Sequence, residues 1–300
     1  MSKHEDRIAL SERGAWTSII VYIFLSSFKL ISGYFFSSSS LMADGMNNFT
    51  DVVSSVTVLI GLKTAKMPAD QNHPYGHWKA EPIASLITSF IMLFIGIQLL
   101  INTTSSFFNT ESTESPNMVA GVVSLIAMVV MFIVSRHNHQ LAEKSKSQGL
   151  KAVAKDNFVD GLTSLATAVA IFTAALGLGW VDNIMAIFIS IIIIKTGIEI
   201  FRETTFLLSD GFDEETLAEY KERLQTIEEI HSIPQIKARM YGANTYVDIT
   251  ILVDAHMTVQ QSHDITEKVE RLLYEEFDVI FTDVHVEPHN ITTHYSKEQV

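Results

Sequence analysis

The sequence predicts an α-helical membrane domain with six transmembrane helices, followed by a small α+β domain. The chain of 300 residues is 47% hydrophobic and has a mean hydropathy of +0.23, which is too apolar for a soluble protein of this length. Only 18% of the residues are charged, against about 25% in soluble domains. The charge is also divided unevenly, because residues 1–209 carry a net charge of −1 and residues 210–300 carry −12.

The composition excludes several classes of protein. The chain has no cysteine, so a disulfide scaffold, an iron–sulfur protein and a thiol nucleophile are ruled out. A net charge of −13 argues against nucleic acid as a partner, because no basic stripe is present to neutralise phosphates. The sequence contains no nucleophile elbow or phosphate-binding loop, so we expect neither an enzyme nor a catalytic cofactor.

Within residues 1–209, six stretches are long and apolar enough to span a bilayer, which takes about 18 or more residues. Four of them contain at most one charged residue: Ala15–Phe36, Ile83–Phe108, Met118–Ser135 and Gly161–Val181. The other two, Leu41–Gly61 and the stretch from Asn183 to about Phe201, each contain two. We therefore predict a six-helix transmembrane domain over residues 1–208.

The distribution of Lys and Arg predicts that both termini are cytoplasmic. These residues lie in the N-terminal tail and after the second and fourth spans, and they are missing from the three opposite loops. They are Lys3, Arg7, Arg13, Lys63, Lys66, Lys79, Arg136, Lys144, Lys146, Lys151 and Lys155. By the positive-inside rule, the protein is a multi-pass protein of the cell membrane with its acidic second part in the cytosol.

The sequence of residues 209–290 predicts a compact cytoplasmic α+β domain. Its elements follow the order αββαβ, a ferredoxin-like arrangement with helices on one face of a small sheet. The predicted elements are a helix at 214–230, strands at 235–241 and 245–253, a helix at 259–277 and a strand at 279–287. The two central strands flank the turn Gly242-Ala243-Asn244. Residues 291–300 are predicted to be a flexible tail.

Acidic residues inside predicted spans indicate a functional site, because an aspartate at the centre of a spanning helix costs about 2.5–3.5 kcal/mol. The second span carries four polar residues on one helical face, and the fifth span begins with an aspartate pair four residues apart: Asp44, Asn47, Asn48 and Asp51, then Asp156 and Asp160. All these charges are negative, so they require a cation. The alternative is a water-filled crevice or an interfacial position. Lys29 in the first span could pair with Asp44 or extend to the interface.

Four segments together resemble the cation diffusion facilitator family, whose members are six-span divalent-metal/proton antiporters with a cytoplasmic dimerising domain. The segments are Leu41–Asp51 (LMADGMNNFTD), His73–Pro82 (HPYGHWKAEP), Asp156–Asp160 (DNFVD) and His285–Pro288 (HVEP). The resemblance extends from about Arg13 to Pro288. It implies a homodimer in the lipid bilayer whose substrates are a divalent metal ion and protons.

The resemblance implies a transport site of two ligands four residues apart on each of the second and fifth helices. That pattern falls on Asn47, Asp51, Asp156 and Asp160, with Asp44 as a possible accessory ligand. Zinc members of the family usually have a histidine in this site, whereas this chain offers only carboxylate and amide oxygens. Oxygen donors favour harder ions, and the set resembles the manganese-exporting branch. The sequence therefore favours Mn²⁺, then Fe²⁺ and then Zn²⁺.

Three further groups match positions of the family. Asp70, His73 and His77 in the loop after the second span match a second metal site, although the alternative is an ordinary polar loop. His263, His285 and Glu287 match ligands of a cytoplasmic site, although Pro234, Gln235 and Thr250 stand where zinc members tend to have ligands. Lys79 and Asp210 match a charge pair that links the two domains, and the alternative is two unrelated interfacial charges.

The predicted function is efflux of a divalent metal ion from the cytosol, most simply Mn²⁺, by proton antiport with alternating access. An Fe²⁺ or Zn²⁺ exporter of the same family is the near alternative. An alternative of another class is a membrane-anchored metal sensor, in which residues 209–290 detect metal and the spans act as an anchor. A channel is disfavoured because a closed four-ligand site binds too specifically for rapid permeation.

Overall fold

The computed structural model describes residues 3–36, 39–108, 118–178 and 180–289. The chain divides into two compact units, Met1–Thr205 and Phe206–Val300. The predicted flexible tail, residues 291–300, lies outside the described residues. The predicted fold class is confirmed, since a helical first unit precedes a small α+β unit.

Six long helices account for the first unit and lead into the second: α1 Lys3–Phe35, α2 Ser39–Ala65, α3 Ala80–Phe108, α4 Met118–Ser145, α5 Gln148–Ala175 and α6 Trp180–Leu208. Among the described residues, five helices are long and apolar enough to cross a membrane, namely all except α2. Helix α2 has 27 residues, but the polar face that contains Asn47, Asn48 and Asp51 lowers its hydropathy.

The connection between α4 and α5 differs from the prediction. Helix α4 continues to Ser145 and α5 already begins at Gln148, so most of the cationic segment predicted as a loop is helical. Asp156 and Asp160 therefore lie two to three turns inside α5 rather than at its start. The reason is that an uncharged run in the sequence marks only the most apolar part of a helix. The backbone hydrogen bonding of the helix continues beyond that run into charged residues.

The start of α5 is held by two side chains. Ser147 caps the helix, its Oγ accepting the backbone N–H of Leu150 at 3.0 Å. Glu81 of α3 accepts hydrogen bonds from Ser147 Oγ at 2.5 Å and from the Gly149 N–H at 3.1 Å. A carboxylate is stabilised at a helix N-terminus, so Glu81 ties α3 to the helix that carries Asp156 and Asp160.

Helices α1 and α2 approach closely at Gly45. Ser26 Oγ donates a hydrogen bond to the Gly45 carbonyl oxygen at 2.8 Å. A Cβ added at Gly45 would lie 3.1 Å from the backbone nitrogen of Leu30, which is tighter than ordinary contact. Because that neighbour is backbone, a side chain here would push the helices apart. This close approach lets Lys29 of α1 reach the polar face of α2.

The second unit is a three-stranded sheet with two helices. Its elements are α7 Glu214–Leu224, β1 Ser232–Tyr241, β2 Asn244–Val253, α8 Val259–Phe277 and β3 Phe281–Pro288. The strand order is β1-β2-β3, with β1 antiparallel and β3 parallel to β2. Alternate residues of β2, such as Val247 and Ile251, pack with Val269 and Leu273 of α8 in one core. Helix α7 ends six residues earlier than predicted, and α8 has the predicted bounds.

Candidate metal centre

Three carboxylates from two helices meet inside the first unit. Asp51 of α2 and Asp156 and Asp160 of α5 each offer an oxygen, and these oxygens lie within 4.8 Å of one another. The three residues are only 3%, 5% and 4% exposed. The i, i+4 spacing places Asp156 and Asp160 on one face of α5, as predicted, and that face meets the polar face of α2.

This arrangement is unfavourable unless a positive charge or protons join it. Carboxylates removed from water lose their hydration, and neighbouring negative charges repel. Among the described residues, Asp156 Oδ2 has no hydrogen-bond partner although it is buried. An oxygen of this kind, next to two other carboxylates, can coordinate a divalent cation. No other buried group of three His, Asp or Glu residues at ligating distance occurs in the described part of the chain.

Asn47 lies at the edge of the three carboxylates. Its Nδ2 donates a hydrogen bond to Asp51 Oδ2 at 3.3 Å, and the residue is half-buried. It also lines a cavity of about 510 Å³ together with Phe90, Phe94 and Gln98 of α3. An amide ligates a metal ion through its oxygen, so binding through Asn47 requires the amide to turn.

A buried hydrogen-bond network, which the sequence did not predict, holds Asp160. The Tyr22 hydroxyl of α1 donates to Asp160 Oδ2 and accepts from Asn157 Nδ2 at 2.8 Å. Asn157 Oδ1 in turn accepts from Ser18 Oγ and from Asn138 Nδ2, both at 2.9 Å. Because Asn157 uses its amide N–H on Tyr22, the Tyr22 proton is directed to Asp160. Single polar residues in apolar runs gave no periodic signal that could have revealed this network.

Asp44 is not one of the three clustered carboxylates. Its Oδ2 lies 2.8 Å from the Nζ of Lys29. Of the two possibilities left open for Lys29, the structure has the pairing with Asp44 rather than extension to the interface.

Glu81 is another residue whose place the sequence did not predict, although it stands in the segment His73–Pro82 that carried the family resemblance.

Asp70, His73 and His77 come together in the loop between α2 and α3, as predicted. They form the second group of three potential ligands within 4.8 Å, and Asp70 and His73 are exposed. Asp70 Oδ1 accepts the backbone N–H groups of His73 at 2.7 Å and Asn72 at 2.9 Å. The hydrogen bond from the His73 backbone, aided by that from Asn72, lowers the pKa of Asp70 and keeps it ionised. The Asp70 carboxylate is thus available to a cation.

The residues predicted for a cytoplasmic site are only partly brought together. His285 Nε2 lies 3.4 Å from Glu287 Oε1 on β3, whereas His263 lies 3.4 Å from a different carboxylate, that of Glu267 on α8. In the described part of the second unit, no three potential ligands converge. Lys79 and Asp210 belong to different units, so their pairing stays a prediction.

A helical unit that encloses clustered carboxylates at ion-binding distance is typical of a membrane transporter for divalent cations. The family model for the cation efflux transmembrane domain matches residues 15–209, and the model for the cytoplasmic domain of cation efflux proteins matches residues 212–289. The chain belongs to the cation efflux family, as the resemblance predicted. It is therefore a divalent-cation transporter rather than an enzyme, and it carries the family's dimerisation domain.

Similar proteins span almost the whole chain. The manganese efflux system protein MneS of Bacillus subtilis (strain 168) is 42% identical over 283 residues, which cover 94% of this chain and 97% of MneS. The uncharacterized transporter YdbO of the same organism is 40% identical, covering 95% and 98%. The manganese efflux system protein MneP, also of that organism, is 29% identical and again covers 95% and 98%.

We predict that Tyr22→Phe weakens the binding of a divalent metal ion by about 10–100-fold, the usual effect of removing a hydrogen-bond partner of a metal ligand. The ring stays in its apolar surroundings of Leu25, Ala127 and Met131, and only the hydroxyl that orients Asp160 is lost. Titration calorimetry of the purified protein measures the change. Tyr34→Phe, an exposed tyrosine on the same helix, is the matched control. Equal affinity in Tyr22→Phe and wild type would contradict this role.

Proposed function

We propose that the protein exports Mn²⁺ from the cytosol by proton antiport with alternating access. The observation that carries the proposal is the cluster of Asp51, Asp156 and Asp160, three buried carboxylates within 4.8 Å of one another in a membrane domain. Carboxylates so placed are suited to binding and releasing a divalent cation. We place Asn47 beside them as the fourth ligand.

The donor set supports manganese as the substrate. The site offers carboxylate and amide oxygens and no imidazole, and oxygen ligands suit Mn²⁺ better than Zn²⁺. Two similar proteins carry the name manganese efflux system protein, one of them at 42% identity. Fe²⁺ is the nearest competitor, because its ligand preferences lie close to those of Mn²⁺, and Zn²⁺ follows.

The charge of the site supports coupling to protons. Three carboxylates around a divalent ion leave a net charge of −1, whereas three bare carboxylates in a low-dielectric site strongly favour protonation. Metal release on the outer side is then accompanied by proton uptake. Proton release toward the cytosol restores the metal-binding form. The proton gradient thereby drives metal out of the cell.

We further propose that both termini lie in the cytosol of a cell-membrane homodimer. The positive-inside rule supports this orientation. The loop cluster of Asp70, His73 and His77 then faces the cytosol, where metal bound there would modulate transport. His285 and Glu287, with His263, would bind metal weakly in the dimerising unit. The Lys79 and Asp210 pair would link the membrane and cytoplasmic domains.

Asp160→Asn is expected to reduce the rate of Mn²⁺ efflux at least tenfold, because it replaces one anionic ligand with a neutral amide, which is also a weaker acceptor for the Tyr22 hydroxyl. Cellular Mn, Fe, Zn and Co contents under each metal challenge measure the effect and the substrate together. Asp264→Asn on the exposed face of α8 is the matched control. A membrane-anchored sensor predicts that Asp160→Asn leaves efflux unchanged, and lowered zinc with unchanged manganese would overturn the choice of metal.

Transport into vesicles is expected to depend on an imposed pH gradient. With the purified protein in liposomes, Mn²⁺ flux should rise when protons are more concentrated on the side to which metal is released. It should fall when the gradient is reversed. Flux that is the same in both cases, measured with a Mn²⁺-sensitive dye, would eliminate proton antiport while leaving metal transport intact.

Asn47→His should shift selectivity toward zinc. The substitution exchanges an amide oxygen for an imidazole nitrogen without changing the charge of the site, and nitrogen donors favour Zn²⁺. The ratio of Zn²⁺ to Mn²⁺ transport should rise about tenfold, equivalent to about 1.4 kcal/mol. Competition between the two ions in liposomes measures the ratio. An unchanged ratio would remove Asn47 from the proposed ligand set.

A further inference from the structure

Lys29 is a fully buried lysine whose charge faces the interior of the first unit. Its Nζ lies 2.8 Å from Asp44 Oδ2 and donates hydrogen bonds to Asn48 Oδ1 at 2.5 Å and Ser164 Oγ at 3.0 Å. Both charged side chains are almost inaccessible to solvent, at 0% for Lys29 and 3% for Asp44. The lysine therefore joins α1, on which it lies, to α2 and α5.

The ion pair is the main compensation for the charge of Asp44. Among the described residues, neither oxygen of Asp44 has a partner in hydrogen-bond geometry, although both are buried. The short Lys29 contact is thus an electrostatic pairing. A buried carboxylate without such a cation is strongly disfavoured.

The pair lies next to the three clustered carboxylates. Asp44 precedes Asp51 by two helical turns on the same face of α2, and its partner Lys29 donates a hydrogen bond to Ser164, one turn after Asp160 on α5. Asn48 connects the two groups, because its Oδ1 accepts from Lys29 while its Nδ2 donates to Asp51 Oδ2 at 3.4 Å. Asp44 is thus a fourth carboxylate close to the proposed transport site, but its charge is already paired with that of Lys29.

We propose that Lys29 is a specificity-determining residue that withholds Asp44 from the transported ion. This inference rests on the proposed function of Asp51, Asp156 and Asp160 as the transport site. Lys29 occupies the carboxylate that would otherwise become an additional anionic ligand. The site therefore keeps three carboxylates instead of four.

The number of carboxylates at the site matters because a transporter must release the ion that it binds. A fourth carboxylate would add negative charge and oxygen donors, which strengthen the binding of divalent ions and favour hard ions such as Ca²⁺. Stronger binding slows release and hence turnover. Lys29 thereby sets a balance between affinity and release without touching the metal itself.

The test compares Lys29→Met, which keeps an unbranched side chain one atom shorter than that of lysine but removes the charged ammonium group, with the double variant Lys29→Met/Asp44→Asn. Lys195→Met, an exposed lysine in α6, is the matched control. Each full-length variant is purified, its Mn²⁺ and Ca²⁺ affinities are measured by titration calorimetry, and its turnover and KM for Mn²⁺ are measured in liposomes. Thermal unfolding is followed with and without Mn²⁺.

In Lys29→Met we expect the Mn²⁺ dissociation constant to fall at least tenfold, Ca²⁺ binding to strengthen, and turnover and KM to fall together. The double variant should return to within about threefold of wild type, since a neutral residue then faces a neutral residue. If Lys29→Met folds poorly, Mn²⁺ should stabilise it more than it stabilises wild type, because the freed Asp44 binds the ion.

Several results would overturn the proposal. They are an unchanged or weaker Mn²⁺ affinity in Lys29→Met, a double variant that loses metal binding, and a poorly folded Lys29→Met that Mn²⁺ does not stabilise. Failure of the proposed function gives a different result, because wild type would then not transport Mn²⁺, or Asp160→Asn would transport it at the wild-type rate. The two failures are therefore separable in one set of measurements.

Discussion

The repulsion among three buried carboxylates is the constraint on which the rest of the first unit depends. Asp51, Asp156 and Asp160 are buried close together, so all three can stay ionised only if a cation neutralises them. Without a cation, the carboxylates favour the protonated form. The energetic penalty of the empty site is what suits it to the function proposed above. Buried carboxylates that are unfavourable without a bound cation favour either a metal ion or protons over the bare, ionised state.

The surrounding side chains hold these carboxylates in position with few charges of their own. Tyr22 of α1 donates to Asp160, and behind it Asn157, Ser18 and Asn138 fix the direction of that hydrogen bond. Glu81 of α3 fixes the start of α5, about two turns before Asp156. Helices α1, α3 and α4 thus determine the geometry of the site, although the three clustered carboxylates all lie on α2 and α5.

The sequence predicted the features that repeat along one element. The four-residue spacing of Asp156 and Asp160 placed both on one face of α5, and the strand predicted at 245–253 is present as β2. It did not predict the partners of Tyr22, which lie more than 130 residues away, because an isolated polar residue in an apolar run has no period. The start of α5 was also missed, since the side chain that holds it, Glu81, comes from another helix. The pairing of Lys29 with Asp44 was one of two possibilities, and only packing could decide between them.

Helix α1 carries none of the clustered carboxylates, yet it touches both helices that do. Toward its N-terminal side, Ser18 and Tyr22 bind α5, and one to two turns further along Ser26 and Lys29 bind α2. Helix α1 thus contacts, through four side chains, both helices that carry the three carboxylates. A rotation of α1 about its own axis would therefore disturb its hydrogen bonds to α2 and to α5 at once. The two helices of the carboxylate cluster are coupled through a helix that supplies none of those carboxylates.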